Sequence, residues 1–289
     1  MNGTGVPFVT PYDETGAVDH DALDRLVGWL EDRGVDFFVP CGSTGEAPLL
    51  TTQERTSIVE TVARATENPV VAGTGHEGYE PTLEATRAAA DVGADAALVL
   101  TPSYYGTNDG ELEAYYRDLA DESPIPIYLY SVPKFTNLPI PPTTAAALAS
   151  HGNVAGIKDS SGSIESITRL VRLTADEDFS VLVGSGSVYA PALDAGAEGG
   201  ILALANLVPE RASEVYRLHT EGEGSAAREL NAALVELNRA ATARFGIPGI
   251  KAALELRGQP VGDPRRPLRP AGDTVTAEFE ALFEDALEA

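Results

Sequence analysis

Lys158 is the residue whose type and position suggest covalent chemistry. It follows the apolar run Val154–Ile157, within the segment Gly156–Gly162, at the predicted end of a strand. An ammonium ion is costly to bury, so an apolar site favours the neutral amine, which can attack a carbonyl carbon and form an imine. The alternative is a lysine that pairs with an acidic residue at the rim of the fold.

Lysine usage favours the catalytic interpretation. The chain has 17 arginines but only three lysines, Lys134, Lys158 and Lys251. A guanidinium group does not lose its proton in proteins, so a lysine retained at a strand end suggests chemistry that arginine cannot perform. Lys134 lies in a predicted loop and Lys251 at the start of a late predicted helix, which makes both weaker candidates.

Tyr130 is the candidate for proton transfer beside such an amine. It ends the apolar run 125–130, and Lys158 follows the next run along the chain. No histidine lies at a neighbouring predicted strand end. A phenol in this position can exchange a proton with a substrate oxygen or carbon at hydrogen-bond distance. The alternative is an aromatic side chain that only fills the end of the core.

The segment Gly42–Glu46 reads Gly-Ser-Thr-Gly-Glu and follows another apolar run. Its glycines, Gly42 included, let the backbone approach a ligand closely, and the hydroxyls of Ser43 and Thr44 can bind a small carboxylate. The same composition also occurs in ordinary loops. The sequence contains no Walker-type phosphate loop, and we expect no cofactor.

Eight short apolar runs, spaced by about 30 residues, must position these side chains. Each run precedes a cluster of Gly, Ser, Thr or Pro and then a helical pattern; the runs span residues 5–10, 35–40, 69–73, 96–101, 125–130, 154–157, 180–183 and 200–204. This rhythm predicts an α/β fold, a TIM (β/α)8 barrel, with its chemistry at the carboxyl ends of the strands. An open doubly wound sheet is the alternative.

The pattern changes after Val208 to helices without strands. We therefore expect a (β/α)8 catalytic barrel at residues 1–208 and a C-terminal helical extension, packed on the barrel, at residues 209–289. Local signals indicate where three of the helices begin. Thr51 and Glu54 have the spacing of a capping box, and Asp19 and Thr82 are candidate N-caps.

Composition narrows the classes of partner and location. The net charge of −24, from 44 acidic and 20 basic residues, disfavours nucleic acid and membrane surfaces as partners. The chain has no long apolar run and no signal-peptide pattern, so we expect a cytoplasmic protein. One cysteine and four scattered histidines indicate neither a disulfide nor a metal site. Acidic excess with few lysines predicts a halophilic protein, with an acidic mesophilic protein as the alternative.

Three segments on three predicted strands together resemble the dihydrodipicolinate synthase / N-acetylneuraminate lyase superfamily. They are Gly42–Glu46, Tyr130–Pro133 and Gly156–Asp159, and the resemblance extends over essentially the whole chain. It implies a TIM barrel with C-terminal helices, a homotetramer built as a dimer of dimers, and neither a metal nor an organic cofactor. It also implies a class I aldolase, a carbon–carbon lyase that acts on a small-molecule 2-oxo acid.

The resemblance implies a role for each residue of the main motifs. Lys158 looks like the lysine that forms the Schiff base, and Tyr130 like the general acid and base. Ser43 and Thr44, after Gly42, match the positions that bind the pyruvate carboxylate and pass protons to the tyrosine.

Three further positions match the family outside these motifs. Tyr104 resembles the tyrosine that reaches into the proton relay of the neighbouring subunit. Ile201 matches the position in strand eight whose backbone carbonyl lies near the active centre, and Gly184 lies in the loop after strand seven.

Phe135 departs from the synthase pattern. Dihydrodipicolinate synthases resemble Tyr-x-Val-Pro-x-Arg-Thr here, where the arginine binds the carboxylate of aspartate semialdehyde; this chain reads Tyr-Ser-Val-Pro-Lys-Phe-Thr at residues 130–136. Because a bidentate carboxylate clamp is lost, we predict a different substrate. The expected reaction is cleavage of 2-keto-3-deoxygluconate or its 6-phosphate to pyruvate and an aldehyde, in an Entner–Doudoroff route of carbohydrate metabolism. The alternatives are dihydrodipicolinate synthase, 4-hydroxy-2-oxoglutarate aldolase and a non-catalytic 2-oxo-acid-binding regulatory barrel.

Overall fold

The computed structural model describes residues 1–288, and its centre is a single sheet of eight parallel strands. The strands are β1 Gly3–Val6, β2 Phe37–Phe38, β3 Val71–Gly73, β4 Ala96–Leu100, β5 Ile127–Ser131, β6 Val154–Asp159, β7 Ser180–Val183 and β8 Gly199–Ile201. Neighbours pair in the order β2-β1-β8-β7-β6-β5-β4-β3. A parallel bridge from Phe38 to Val70 joins β2 to the start of β3. The predicted TIM barrel is thereby confirmed.

Each predicted apolar run overlaps one strand, and the predicted and observed bounds are the same only for β7. The largest shift is at β1, which ends at Val6 instead of continuing to Thr10. Pro7 follows directly, and because proline has no backbone N–H it ends the hydrogen-bonded ladder. The loop after β1 therefore begins earlier than the hydrophobic pattern indicates.

Two separate hydrophobic clusters result from the alternation of side chains along the strands. The larger cluster lies between the barrel and the helices and includes Val99, Leu129 and Ile157. The smaller one fills the barrel interior. Its buried members are Phe37, Val39, Val71, Ala96, Leu98, Tyr128, Tyr130, Val132, Leu182 and Ile201. Alternate residues of β5 and its extension thus face the barrel axis, which directs Tyr130 towards the interior.

Eight helices follow the strands in turn up to residue 194 or cover the loops between them. They are α1 His20–Glu31, α2 Thr52–Ala65, α3 Tyr79–Asp91, α4 Asp109–Glu122, α5 Pro133–Thr136, α6 Pro142–Ala149, α7 Ile164–Leu173 and α8 Tyr189–Asp194. Asp19 caps α1 by accepting from the amide of Ala22, and the capping box of Thr51 and Glu54 is present at α2. The predicted cap at Thr82 is wrong. Gly78 caps α3, and the Thr82 hydroxyl lies inside the helix, where it donates to the Gly78 carbonyl at 2.8 Å.

The remaining helices complete the chain as far as residue 288. They are α9 Pro209–Thr220, α10 Gly224–Ala233, α11 Val235–Arg239, α12 Gly246–Leu256 and α13 Asp273–Glu288. A π-helical turn, Ala240–Arg244, joins α11 to α12. Helix α9 packs against both α8 and β1. The division of the chain at residue 208 into a barrel and a C-terminal extension stays a prediction. None of the helices described is long and apolar enough to cross a membrane.

Candidate active site

Lys158 and Tyr130 lie side by side at the carboxyl end of the barrel. They are register partners on the parallel strands β6 and β5. The Lys158 Nζ lies 4.2 Å from the centroid of the Tyr130 ring, and Lys158 is only 4% exposed. The amine is therefore desolvated and held against the aromatic face at a fixed distance, as a cation–π contact requires.

The carboxylate next in sequence to Lys158 does not pair with it. Asp159 instead accepts from the amide of Ser161 at 2.7 Å and from the hydroxyl of Ser166 at 2.6 Å. Within residues 1–288, no carboxylate oxygen lies within 4.0 Å of the Lys158 Nζ. The alternative of a lysine ion-paired at the barrel rim does not describe Lys158, whose amine faces an open cavity.

The Tyr130 hydroxyl lies in a polar cluster at the same end of the barrel. It is 3.5 Å from the Ser43 hydroxyl. Burial acts to raise the pKa of Tyr130, but the Lys158 ammonium and hydrogen bonds with Ser43, Lys158 and Ser160 outweigh it and lower the pKa. A phenol with a lowered pKa exchanges its proton more readily near neutral pH, as a general acid and base must.

The loop between β2 and α2 carries Ser43 and Thr44 into the same cavity. Two residues at its ends, Cys41 and Glu46, have left-handed backbone conformations, with φ of 57° and 59°. Non-glycine residues in this region store strain, which persists only where the surrounding structure fixes the backbone. Gly42 does not line the cavity, and its predicted role in substrate binding stays a prediction.

A buried ion pair supports this loop from behind. Glu46 Oε1 lies 3.1 Å from the Nζ of Lys251, and both side chains are buried. Lys251 also donates to the carbonyl oxygen of Thr10 at 2.8 Å, and Glu46 Oε2 accepts from the amide of Arg265 at 2.8 Å. The substrate loop is thus tied to α12 and to the segment before α13.

The cavity has a volume of about 560 Å³, and three of the other predicted site residues line it. Ile201 and Gly184 lie at the ends of β8 and β7, and Phe135 lies at the mouth, where it is 61% exposed. A Cβ at position 184 would lie 1.8 Å from the hydroxyl oxygen of Ser160. Glycine is required there because a larger residue would displace Ser160 from the tyrosine.

The C-terminal helices supply a wall of the cavity that the sequence interpretation missed. This wall consists of Asn238, Ala241, Thr242, Ala243, Phe245, Gly246, Ile247, Pro248 and Ile250. It includes part of the π-helical turn, a feature frequent at functional sites. The Gly-Ile-Pro-Gly cluster at 246–249 interrupts an otherwise helical pattern and is the only signal in the sequence that could have indicated it. Lys134 and Ser160 were missed as well.

Tyr104 is not part of the cavity. It is 79% exposed, next to Tyr105 at 77%, and the two rings lie edge to face with centroids 5.1 Å apart. Glu77 fixes this loop by accepting from the amides of Ser103 and Tyr104 at 2.7 and 2.8 Å. A single chain therefore brings together Lys158, Tyr130 and Ser43 but leaves Tyr104 outside.

The cavity thus combines a buried amine, a phenol of lowered pKa and two hydroxyl groups at the carboxyl ends of barrel strands. Such a set can form an imine with a 2-oxo acid and move protons on and off the bound carbon skeleton. Within residues 1–288, no cluster of three or more His, Cys, Asp or Glu side chains could hold a metal ion.

Comparison with known proteins identifies the family. The chain matches the Dihydrodipicolinate synthetase family over residues 1–286. It is 38% identical over 287 residues to a 4-hydroxy-tetrahydrodipicolinate synthase of Methanothrix thermoacetophila, covering 99% of this chain and 96% of that one.

Two solved structures agree with this result. A dihydrodipicolinate synthase of Acinetobacter baumannii complexed with pyruvate superposes with a TM-score of 0.94 at 31% identity, covering 99% of this chain and 98% of that one. A monomeric dihydrodipicolinate synthase variant reaches a TM-score of 0.95 at 30% identity, with coverages of 99% and 97%.

These findings correct the predicted substrate. Relatives at 32% to 38% identity over nearly the whole chain are 4-hydroxy-tetrahydrodipicolinate synthases, so the prediction of a 2-keto-3-deoxy sugar acid aldolase is wrong. That prediction depended mainly on Phe135. Phe135 is one exposed side chain at the mouth, and the neighbouring Lys134 still places a cation in the cavity.

The prediction of an enzyme is confirmed, and the protein is a carbon–carbon lyase of the class I aldolase type. Its substrate is a small molecule of the pyruvate type. The match over residues 1–286, the related structures and the geometry of the cavity agree: this chain belongs to the Dihydrodipicolinate synthetase family.

Proposed function

We propose that this protein condenses pyruvate with aspartate semialdehyde to form 4-hydroxy-tetrahydrodipicolinate. The observation that carries the proposal is the meeting of Lys158, Tyr130 and Ser43 in one cavity. The names of the relatives support the choice of the second reactant. Pyruvate supplies the 2-oxo group for the amine, and aspartate semialdehyde supplies the aldehyde that a carbon nucleophile can attack.

The first half of the reaction joins pyruvate to Lys158. The neutral amine attacks C2 of pyruvate and one water leaves, which gives a protonated imine. The hydroxyls of Ser43 and Thr44 bind the pyruvate carboxylate. Tyr130 relays the protons that the carbonyl oxygen gains before it leaves as water. It also accepts the proton that the methyl carbon C3 loses when the imine becomes an enamine.

The second half forms the new carbon–carbon bond and releases the enzyme. The enamine carbon attacks the aldehyde carbon, and Tyr130 protonates the resulting alkoxide, which becomes the 4-hydroxyl group. The amino group of the second reactant then attacks the imine carbon, closes the ring and displaces Lys158. The balance is one pyruvate and one aspartate semialdehyde for one cyclic product and one water.

We also propose an assembly and a salt requirement. A homotetramer would cover Tyr104 and Tyr105, two aromatic rings more exposed than a lone chain usually leaves them, and would bring Tyr104 to a neighbouring active site. The net charge of −24 supports a halophilic protein that needs concentrated salt to screen self-repulsion. Light scattering and activity assays in high and low KCl test both proposals. A monomer with full activity at every salt concentration would contradict them.

The main proposal is tested by incubating the protein with pyruvate and aspartate semialdehyde in concentrated KCl. We expect a seven-carbon cyclic acid by mass spectrometry, and borohydride added with pyruvate alone should attach the three-carbon unit to Lys158. The Lys158→Ala variant is the control for both measurements. Imine trapping without condensation would overturn the choice of aspartate semialdehyde, and condensation that persists in Lys158→Ala would overturn the mechanism.

A further inference from the structure

Lys134 is a second cation in the catalytic cavity. It lines the same cavity as Lys158, on α5, directly after the end of β5 and Val132. Its Nζ donates to the carbonyl oxygen of Thr242 at 2.7 Å and lies 5.3 Å from the centroid of the Phe135 ring. The contact with Thr242 holds the ammonium group between α5 and the π-helical turn, at the junction of barrel and C-terminal wall.

The charge of the cavity is opposite to that of the protein. The lining residues include two lysines and, among the residues described, no aspartate, glutamate, arginine or histidine. The whole chain carries a net charge of −24. A concave site lined by one sign of charge focuses its field and raises the local concentration of ligands of the opposite sign. The cavity is therefore suited to reactants that carry negative charge.

Lys134 has no acidic partner of its own. In the part of the chain that the structure describes, no carboxylate oxygen lies within 4.0 Å of its Nζ. An ammonium group has three donors, and Thr242 accepts only one of them. The other two donors can therefore give charge-assisted hydrogen bonds to a carboxylate in the cavity that Lys134 lines.

The three lysines of the chain all lie around this site. Lys158 faces the cavity, Lys251 is paired with Glu46 behind the substrate loop, and Lys134 lines the cavity mouth. The 17 arginines supply the remaining basic side chains. Lys158 is consumed as an imine, and Ser43 and Thr44 are committed to the pyruvate carboxylate, so a second carboxylate needs a separate cation.

We infer that Lys134 determines specificity for the second reactant by binding its carboxylate group. The inference rests on the proposed function and deepens it, because it assigns the residue that binds the carboxylate of the second reactant. Lys134 is a binding residue and takes no part in imine formation. Phe135, which packs beside the ammonium group, provides an apolar surface for the carbon chain of the aldehyde.

The test compares Lys134→Met with Lys134→Arg and with the control Arg239→Met, an exposed cation on α11 outside the cavity. Steady-state kinetics are measured with aspartate semialdehyde, succinic semialdehyde and the neutral butyraldehyde. We expect Lys134→Met to raise the KM for both carboxylate-bearing aldehydes on the order of tenfold or more. The KM for butyraldehyde, the KM for pyruvate and borohydride trapping should stay the same. Lys134→Arg should keep most of the preference for carboxylate-bearing aldehydes over butyraldehyde. Arg239→Met should keep all of this preference.

The outcomes separate this inference from the proposed function. If the wild-type protein condenses the carboxylate-bearing aldehydes and Lys134→Met keeps their KM, only the role of Lys134 fails. Loss of pyruvate trapping in Lys134→Met also overturns that role, because it indicates a general structural effect. If the wild-type protein traps pyruvate but condenses no carboxylate-bearing aldehyde, the proposed function and this inference fail together.

Discussion

Two buried lysines lie against tyrosine rings in this protein, in nearly the same local geometry and with different surroundings. The Lys158 Nζ is 4.2 Å from the centroid of Tyr130, and the Lys251 Nζ is 4.1 Å from that of Tyr12. Lys251 has a carboxylate, Glu46, at 3.1 Å and two carbonyl oxygens as acceptors. Lys158 has an open cavity in the corresponding place.

The two tyrosines respond in opposite directions. Burial raises the pKa of Tyr12, and the Glu46 carboxylate raises it further. Burial also acts on Tyr130, but there the lysine charge and the hydrogen bonds to the hydroxyl lower the pKa. The comparison indicates that a buried lysine beside a tyrosine becomes a reactive pair only when no carboxylate neutralises the amine.

The largest expected contrast is between the two lysines in catalysis. Lys158→Ala should lower the rate of condensation on the order of 10⁴-fold or more, because no amine remains to form the imine. Lys251→Met should retain borohydride trapping of pyruvate at Lys158. Intact-mass spectrometry after reduction measures both variants. If a folded Lys251→Met variant no longer traps pyruvate, Lys251 takes part in the chemistry. The contrast between the two lysines would then be wrong.

The next contrast concerns proton transfer by Tyr130. Tyr130→Phe should lower kcat about 10²- to 10⁴-fold, since the ring and its contact with Lys158 remain while the acid and base is lost. Stopped-flow measurement of imine formation and steady-state kinetics of the whole reaction follow the two halves separately. A Tyr130→Phe protein within a few-fold of the wild-type kcat would reassign the proton transfer to another group.

The paired lysine should dominate stability instead. Lys251→Met leaves the buried Glu46 carboxylate without its ion-pair partner, which should lower the free energy of unfolding by about 3–5 kcal/mol. Urea unfolding at fixed KCl concentration measures the change. The double variant Lys251→Met, Glu46→Gln removes both charges and should recover most of the loss. A single variant as stable as the wild type would show that the pair contributes no such constraint.

The paired lysine also predicts a pH dependence of stability. Burial lowers the pKa of Lys251 from its ordinary value of 10.5 to about 8, although Glu46 opposes the shift. Between these two pH values the unfolded chain binds a proton that the folded protein has released, so the free energy of unfolding rises with pH in that window. The stability of the wild type relative to the double variant should therefore increase by up to about 1 kcal/mol per pH unit above pH 8. A difference that stays constant from pH 7 to pH 10 would contradict this.

The smallest expected effect is at Tyr12. Its hydroxyl group is buried without a hydrogen-bond partner, so Tyr12→Phe removes a desolvated polar atom and keeps the ring over Lys251. We expect a change in unfolding free energy within about 0.5 kcal/mol of zero and unchanged kcat. Tyr130→Phe is the matched change in the reactive pair. A destabilisation of several kcal/mol at Tyr12 would mean that its hydroxyl has a partner in the folded protein.

The strand positions were largely predictable from sequence because their signals are local. Each predicted run overlaps a strand, since apolar composition and the following turn residues act within a few positions. The failures had specific causes. Pro7 ended β1 early by its missing N–H, and Thr82 satisfied its hydroxyl within α3 instead of capping it. The cavity wall at residues 238–250 was missed because no local sequence pattern shows that these C-terminal residues pack against the open end of the barrel.

The substrate was also predicted incorrectly, because a single position was given too much weight. Phe135 replaces an arginine in the family's pattern, but the charge at the mouth depends on every side chain that the fold brings there. Lys134 is adjacent in sequence, and its ammonium group is held by Thr242 from a distant segment. Only the folded arrangement places Lys134 and Thr242 in one cavity.

The sequence by itself determined the barrel, the strand end at Lys158 and the hydroxyl loop, because β/α periodicity and turn composition are properties of short segments. Only the tertiary structure decided which of the three lysines is paired with a carboxylate. Lys251 meets the carbonyl of Thr10 across 241 positions of chain, and the same packing brings it to Glu46. Since the interaction of two charges depends on their distance in space and on the solvent between them, no local pattern could show that Lys251 is paired with Glu46.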